Sequence, residues 1–129
     1  MLEFCDVSFS YEAGIPVIDD LSFSIHKGES VGLIGANGAG KSTIMKLMLG
    51  LLQGKGQIFV DSLPVEKKNL PVIRQKIGFV LQDSDNQMFM PTVYEDMIFG
   101  PLNYGLSKEE AEKQVDRRSE ERRVGKECR

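Results

Sequence analysis

Apolar and polar residues alternate from Leu2 to Tyr11, with Leu2, Phe4, Val7 and Phe9 marking the apolar side. That spacing predicts a half-exposed strand. Ala13-Gly14-Ile15-Pro16 marks a turn. Val17 to Ile25 carries a second alternation, through Leu21, Phe23 and Ile25, and predicts another strand. Lys27-Gly28-Glu29 then turns into Ser30-Val31-Gly32-Leu33-Ile34, a run that reads as a short buried strand. From Lys41 to about Gly50 the apolar spacing becomes that of a helix. Gly54-Lys55-Gly56 breaks the chain before a strand over Gln57 to Val60. Asp61 to Asn69 is polar, contains Pro64 and predicts a loop. Beyond it the pattern predicts a short helix over Leu70 to Lys76, a second buried strand over Ile77 to Leu81 and a loop over Ser84 to Pro91. Helices follow over Tyr94 to Phe99 and Ser107 to Arg117, the latter opened by a Ser107/Glu110 capping box.

Between the first buried strand and the first helix lies Gly35-Ala36-Asn37-Gly38-Ala39-Gly40-Lys41-Ser42, a full match to G-x-x-x-x-G-K-[ST]. The glycines let successive backbone N–H groups turn inward as an anion nest. Lys41 is long enough to reach β- and γ-phosphates, and Ser42 offers a hydroxyl oxygen to Mg²⁺, a hard cation that takes oxygen ligands. Thr43 completes the loop's entry into the helix, whose N-terminal dipole favours the same anion. A glycine-rich surface turn is the bland alternative, and the flanking strand and helix argue against it.

The chain has 129 residues, about the size of one domain, and a formal net charge of −3, so its charge balance carries no nucleic-acid footprint. Cys5 and Cys128 stand at opposite ends without metal-type spacing, which predicts reduced thiols. The single histidine, His26, sits beside Lys27-Gly28 and reads as a surface residue in a turn. No stretch approaches the roughly 20 apolar residues of a membrane span, and none resembles a signal peptide, so a membrane role is expected to act through a partner. The last twelve residues, Arg118 to Arg129, lack a core-forming pattern. They equal the first-frame translation of a common short-read sequencing adapter, so the natural chain is expected to stop near Arg117. That divides the sequence into a domain over 1–117 and a non-native tail over 118–129. The tail holds five basic and three acidic residues, which leaves the remainder at −5.

The order of elements, an antiparallel sheet grafted onto a parallel phosphate-loop core, resembles the nucleotide-binding domain of ABC transporters from Leu2 to about Asp116. The resemblance implies an α/β fold of the P-loop NTPase class. It would comprise an antiparallel β subdomain, an incomplete parallel-sheet core and the start of the helical subdomain. It implies that Tyr11, just over twenty residues before the loop, stacks on adenine, with Val17 as a further apolar contact. Gln82, ending the Ile77–Leu81 strand, stands where the family has its glutamine loop, whose amide approaches Mg²⁺ or the attacking water and senses the membrane subunit. The run Asp83 to Phe89, then Pro91-Thr92-Val93, Glu95-Asp96 and Phe99-Gly100-Pro101-Leu102, is similar to ATPase subunits of energy-coupling-factor importers, including the cobalt and nickel group. The family usually has proline at Ser84 and often an acid at Tyr94, and a glycine is common at Ser62 and a proline at Ala36. Met88, Phe89 and Phe99 read either as core or as a docking cleft for a coupling helix.

The resemblance further implies ATP and Mg²⁺ as cofactors, with Lys41 and Gln82 catalytic and Ser42 and Gln82 on the metal. The expected partners are a second ATPase subunit, head to tail, and an integral membrane coupling subunit, at the cytoplasmic face of the plasma membrane. No Leu-Ser-Gly-Gly-Gln signature, second acidic strand end, catalytic glutamate or switch histidine follows Gln82. Glu109, Glu110 and Glu112 read as a solvated helix face instead. Hydrolysis by this chain alone is therefore not expected, nor is a well-packed product, because strands that flank the Ser30–Ile34 run in the family are absent. Other readings stay open: a non-transport ABC-type ATPase, a small P-loop kinase or GTPase, and an ATP-binding regulator without hydrolysis.

Overall fold

The computed structural model describes residues 1–82 and 87–124, with residues 120–124 described by backbone alone. It divides into two compact units, Met1–Gly78 and Phe79–Arg129.

The first unit is built on an antiparallel sheet. Strands β1 (Leu2–Phe9), β2 (Ile18–Ile25), β3 (Lys55–Val60) and β4 (Leu63–Pro64) lie in the order β2-β1-β3-β4. The apolar positions skip from 4 to 7 on β1 and from 18 to 21 on β2, so a strict two-residue period would turn Val7 and Ile18 to the wrong face. Two bulges absorb the skips. Cys5 and Asp6 oppose Ser22 alone, and Asp19 and Asp20 oppose Ser8 alone, so the two register shifts cancel. Asp6 (φ 50°) and Asp20 (φ 46°) take the left-handed conformation there, which short polar side chains tolerate. Each bulge is pinned by a serine: the Asp6 N–H donates to Ser22 Oγ at 2.8 Å and the Asp20 N–H to Ser8 Oγ at 2.9 Å.

With the faces corrected, Phe4, Val7 and Ile18 meet Leu47 of helix α1 (Lys41–Met48) in the core of this unit. The rings of Phe4 and Phe23 stack at 4.6 Å. Full burial of side chains of this size contributes about 1.5–3 kcal/mol each. Helix α2 spans Leu70–Lys76, as the pattern predicts, and buries Ile73.

Three expectations are corrected here. The polar stretch after Val60 is not all loop: Asp61 (φ 48°) and Ser62 (φ 64°) make a tight left-handed turn that returns the chain as β4. The Asp61 carboxylate is held by the Met1 α-ammonium at 2.8 Å and by Lys76 at 2.9 Å. The runs Ser30–Ile34 and Ile77–Leu81 join no β-ladder among the described residues. Val31, Leu33, Ile34, Val80 and Leu81 lie open, Ile34 95% and Val80 79% exposed, while Ile77 and Phe79 are half-buried; among the described residues every ladder strand belongs to the antiparallel sheet.

In the second unit, helix α3 runs Val93–Asn103, longer than the expected Tyr94–Phe99, and tolerates Pro101 near its end. Its start is capped by a side chain: Thr92 Oγ1 accepts the Glu95 N–H at 3.2 Å and donates to Glu95 Oε2 at 2.8 Å. Helix α4 runs Lys108–Val124 and opens with the expected Ser107/Glu110 box. It continues past Arg117 through Val124, so the residues read as tail extend the helix as far as they are described. Ile98, Ala111 and Val115 form the core of this unit. The loop expected over Ser84 to Pro91 lies partly outside the described residues, as do Cys128 and the end of the tail.

Candidate nucleotide-binding site

The phosphate loop lies in the first unit, as a turn over Asn37–Gly40 that feeds α1 directly. The Ala39 N–H donates to the Ala36 carbonyl at 3.2 Å, which closes the turn. Gly38 and Gly40 both have positive φ, 85° and 87°. Gly40 is constrained a second time. A Cβ on it would stand 2.7 Å from Ile18 Cδ1 and 3.1 Å from the Val17 carbonyl oxygen. The last glycine of the loop is thus pressed against the start of β2, which fixes the loop on the sheet.

Among the described residues, the backbone N–H groups of Gly38, Gly40, Lys41 and Ser42 find no acceptor. Helix α1 has no side-chain cap and no acidic residue in its first turn. Among the described residues, nothing protein-made satisfies these donors, which lie at the positive end of a helix dipole. Lys41 folds back over the same loop, its Nζ donating to the carbonyls of Gly35 and Ala36 at 2.7 Å each. An ammonium has three donors, so one remains for an anion. Ser42 is exposed at the head of the helix.

These residues fit the nucleotide and metal that the sequence implies. The nest and Lys41 match a polyphosphate, and the Ser42 hydroxyl supplies a hard oxygen. No cluster of three or more His, Cys, Asp or Glu side chains forms a self-sufficient metal site among the described residues. A cation here would depend on Ser42 and on the phosphates, as Mg²⁺ at phosphates commonly does.

Tyr11 stands beside the loop. Its hydroxyl lies 3.3 Å from Thr43 Oγ1, its ring meets Phe9 edge-on at 4.8 Å, and the residue is 58% exposed. Thr43 itself is buried. Val17 is half-buried, packs on the core of this unit, and donates its N–H to the Phe9 carbonyl at 2.9 Å. The first unit thus gathers Tyr11, Val17, Gly35, Ala36, Asn37, Gly38, Ala39, Gly40, Lys41, Ser42 and Thr43. Gln82 belongs to the second unit and is exposed. Of the run after it, Asp83 to Asn86 lie outside the described residues.

Met88 and Phe89 are exposed rather than core, with Phe89 edge-on to Phe99 at 4.9 Å. Glu109 and Glu110 are solvated, as expected, and Glu112 accepts a long hydrogen bond from the Tyr94 hydroxyl at 3.4 Å. Tyr94 titrates above the usual phenol range, through desolvation first and then the Glu112 charge. His26 sits in the expected turn, its N–H donating to Glu29 Oε2 at 2.7 Å.

Two features of the second unit escape a reading of the sequence. Gln87 bonds the backbone of Phe79 and Leu81, and no local signal marks such a long-armed contact. The Asp96 carboxylate accepts the N–H groups of Phe89 and Met90 at 3.3 Å each. The Thr92 cap, by contrast, is written in Thr92-x-x-Glu95 and could have been found.

The family model described as ABC transporter matches residues 18–127. The chain is 45% identical over 118 residues to an energy-coupling factor transporter ATP-binding protein of Methanocaldococcus jannaschii, covering 89% of this chain and 42% of that protein. Among solved structures, cbiO1 of Clostridium perfringens, part of the ABC transporter complex cbiONQ, superposes with a TM-score of 0.76. Its identity is 34%, over 90% of this chain and 47% of that one. A dimeric ATP-binding cassette in a post-hydrolysis state with ADP and Pi gives 0.74 at 26% identity, over 89% of this chain and 54% of that one. The chain thus spans about half the length of the relatives it matches, or less. An antiparallel sheet that seats a glycine-rich anion nest, a matching family model over most of the chain and structural neighbours of the same kind lead to one conclusion: the chain belongs to the ABC transporter family, within its ATP-binding domain.

Proposed function

We propose that this chain supplies the phosphate-gripping part of the ATP-binding subunit of an energy-coupling-factor importer. That subunit would couple ATP binding and hydrolysis to uptake of a metal ion of the cobalt or nickel type, or of a vitamin. The importer class is supported by the energy-coupling-factor relative and the cbiONQ neighbour, and by the segment from Gln82 to Leu102. The observation that carries the reading is the set of unsatisfied N–H groups at Gly38, Gly40, Lys41 and Ser42 around one lysine.

In this reading Lys41 would turn from the Gly35 and Ala36 carbonyls to the β- and γ-phosphates. The loop amides would hold the remaining phosphate oxygens, and Tyr11 and Val17 would receive the adenine. Ser42, with Gln82 as the further expected ligand, would hold Mg²⁺, whose chemistry there would be to neutralise phosphate charge. Positioning and charge neutralisation do most of the work in phosphoryl transfer. The groups that complete a hydrolytic site would come from further sequence and from a second ATPase subunit facing head to tail. A membrane subunit would dock the assembly at the cytoplasmic face of the plasma membrane.

Titration with a fluorescent ATP analogue tests the reading. Mg²⁺-dependent binding is expected, with Lys41→Ala weakening it by about 10- to 100-fold, the worth of charge-assisted hydrogen bonds. Affinity undiminished in Lys41→Ala would refute it, and equal competition by GTP would favour a GTPase or kinase of the same loop class.

A further inference from the structure

Asn37 and Gly38 are both exposed and form the centre of the turn that the Ala39 N–H closes on the Ala36 carbonyl at 3.2 Å. Among the described residues, neither the Asn37 carboxamide nor the Gly38 N–H makes a hydrogen bond. A backbone nitrogen is a latent nucleophile toward the side-chain carbonyl carbon of an asparagine just before it, and its attack closes a five-membered imide. Gly38 has no Cβ to crowd that approach. The other described asparagines lack this combination. Asn69 donates its Nδ2 to the Pro64 carbonyl at 2.9 Å, and the N–H that follows it, on Leu70, donates to the Glu66 carbonyl at 3.2 Å. Asn103 precedes Tyr104, whose N–H donates to the Gly100 carbonyl at 3.1 Å.

We propose that Asn37 is a modification site of the empty phosphate loop: it deamidates through the Gly38 nitrogen, and a bound polyphosphate protects it. The protection rests on the nucleotide-binding reading above. Solvent base takes the Gly38 N–H proton, and the nitrogen attacks Asn37 Cγ. The N–Cγ bond forms, the Cγ–Nδ2 bond breaks, and Nδ2 leaves as ammonia with a proton from solvent. Water then opens the imide. Attack at Cγ restores the normal chain with an aspartate at position 37. Attack at the Asn37 backbone carbonyl gives the isoaspartyl form, whose main chain runs through the side chain and is one methylene longer. Either product carries a carboxylate that is ionised at neutral pH, and in an anion-binding loop that charge repels a polyphosphate. The isoaspartyl form also displaces the N–H groups of the nest. An anion that accepts the Gly38 N–H occupies the nucleophile, so only vacant loops react, and each is lost irreversibly.

The experiment incubates the full-length protein at mildly alkaline pH, with and without a non-hydrolysable ATP analogue and Mg²⁺. Peptide mass spectrometry follows conversion at Asn37, Asn69 and Asn103, and titration with a fluorescent ATP analogue follows the remaining binding. Without nucleotide, Asn37 is expected to convert ahead of Asn69 and Asn103, and binding capacity should decay in step with it. Nucleotide at about 100 times its Kd should slow conversion at Asn37 by about 100-fold, because only the empty fraction reacts. Asn37→Asp, which carries one product from the start, should bind the analogue about 10-fold more weakly or worse. Conversion at Asn37 no faster than at Asn69 and Asn103 would overturn the proposal. So would conversion unslowed by nucleotide that the titration shows to be bound, or wild-type affinity in Asn37→Asp. Fresh protein that binds no nucleotide would overturn the underlying reading and the protection with it, while conversion in the empty loop would still be read by mass, so the two failures are separately visible.

Discussion

Gly40 carries two constraints at one position. Its φ of 87° suits a residue without a side chain, and Ile18 and Val17 occupy the space a Cβ would need. Gly40→Ala should therefore cost about 1–3 kcal/mol, even with no nucleotide present. Amide-exchange protection in β1 and β2 should fall by roughly one to two powers of ten, and unchanged protection would show that the loop is not seated on the sheet. Asp61 offers a pH test at the same scale. Hydrogen bonds from the Met1 α-ammonium, then from Lys76, lower its pKa from 3.8 to about 2. The folded pKa is depressed, so its stabilising effect is complete above the ordinary carboxylate value and is lost as pH falls from about 4 through 2. An NMR titration of the Asp61 carboxyl should show the low midpoint, and Lys76→Ala should raise it. A midpoint near 3.8 in the unaltered chain would refute the pairing.

At the level of elements, the two helices of the second unit owe their starts to side chains rather than to apolar pattern. The Thr92 and Ser107 hydroxyls each accept an orphan N–H three residues on; Glu95 accepts the Thr92 hydroxyl, and Glu110 closes a capping box on the Ser107 N–H. Thr92→Ala should cost about 1 kcal/mol of α3 stability, and Thr92→Ser should keep most of it. Circular dichroism and amide exchange over Val93 to Ile98 would register the difference; equal behaviour of the two variants would show that the cap contributes nothing. Ser107 also holds the Glu110 carboxyl below its usual range, so this support for α4 is present at neutral pH and fades under acid.

At the scale of the molecule, two apolar segments join no sheet among the described residues. Val31, Leu33, Ile34, Val80 and Leu81 are all exposed, while the antiparallel sheet and α1 keep a core of their own. The 129-residue chain should accordingly bind a hydrophobic dye such as ANS and associate at high concentration. Ile34→Lys together with Val80→Lys should reduce both while leaving the sheet amides protected. A sharp cooperative melt without dye binding would contradict this picture.

Much of this arrangement can be read along the chain, because it rests on local chemistry. The phosphate loop, α1, α2 and the Ser107 box depend on residues within a few positions of one another, where spacing alone dictates which groups meet. The bulges are not part of the strands' alternation: the register shows the skips from Phe4 to Val7 and from Ile18 to Leu21 absorbed by an extra residue each. Other features need the folded chain. Gly40 must be glycine partly because β2 passes beside it. The Asp61–Ser62 turn is held by Met1 and Lys76, which lie far from it in sequence. Gln87 bonds the backbone of Phe79 and Leu81, a contact that no pattern in its own neighbourhood reveals. The fate of Ser30–Ile34 and Ile77–Leu81 belongs to the same class. An apolar run states a preference for burial, but a strand exists only where another segment offers its backbone, and that is decided by the tertiary structure.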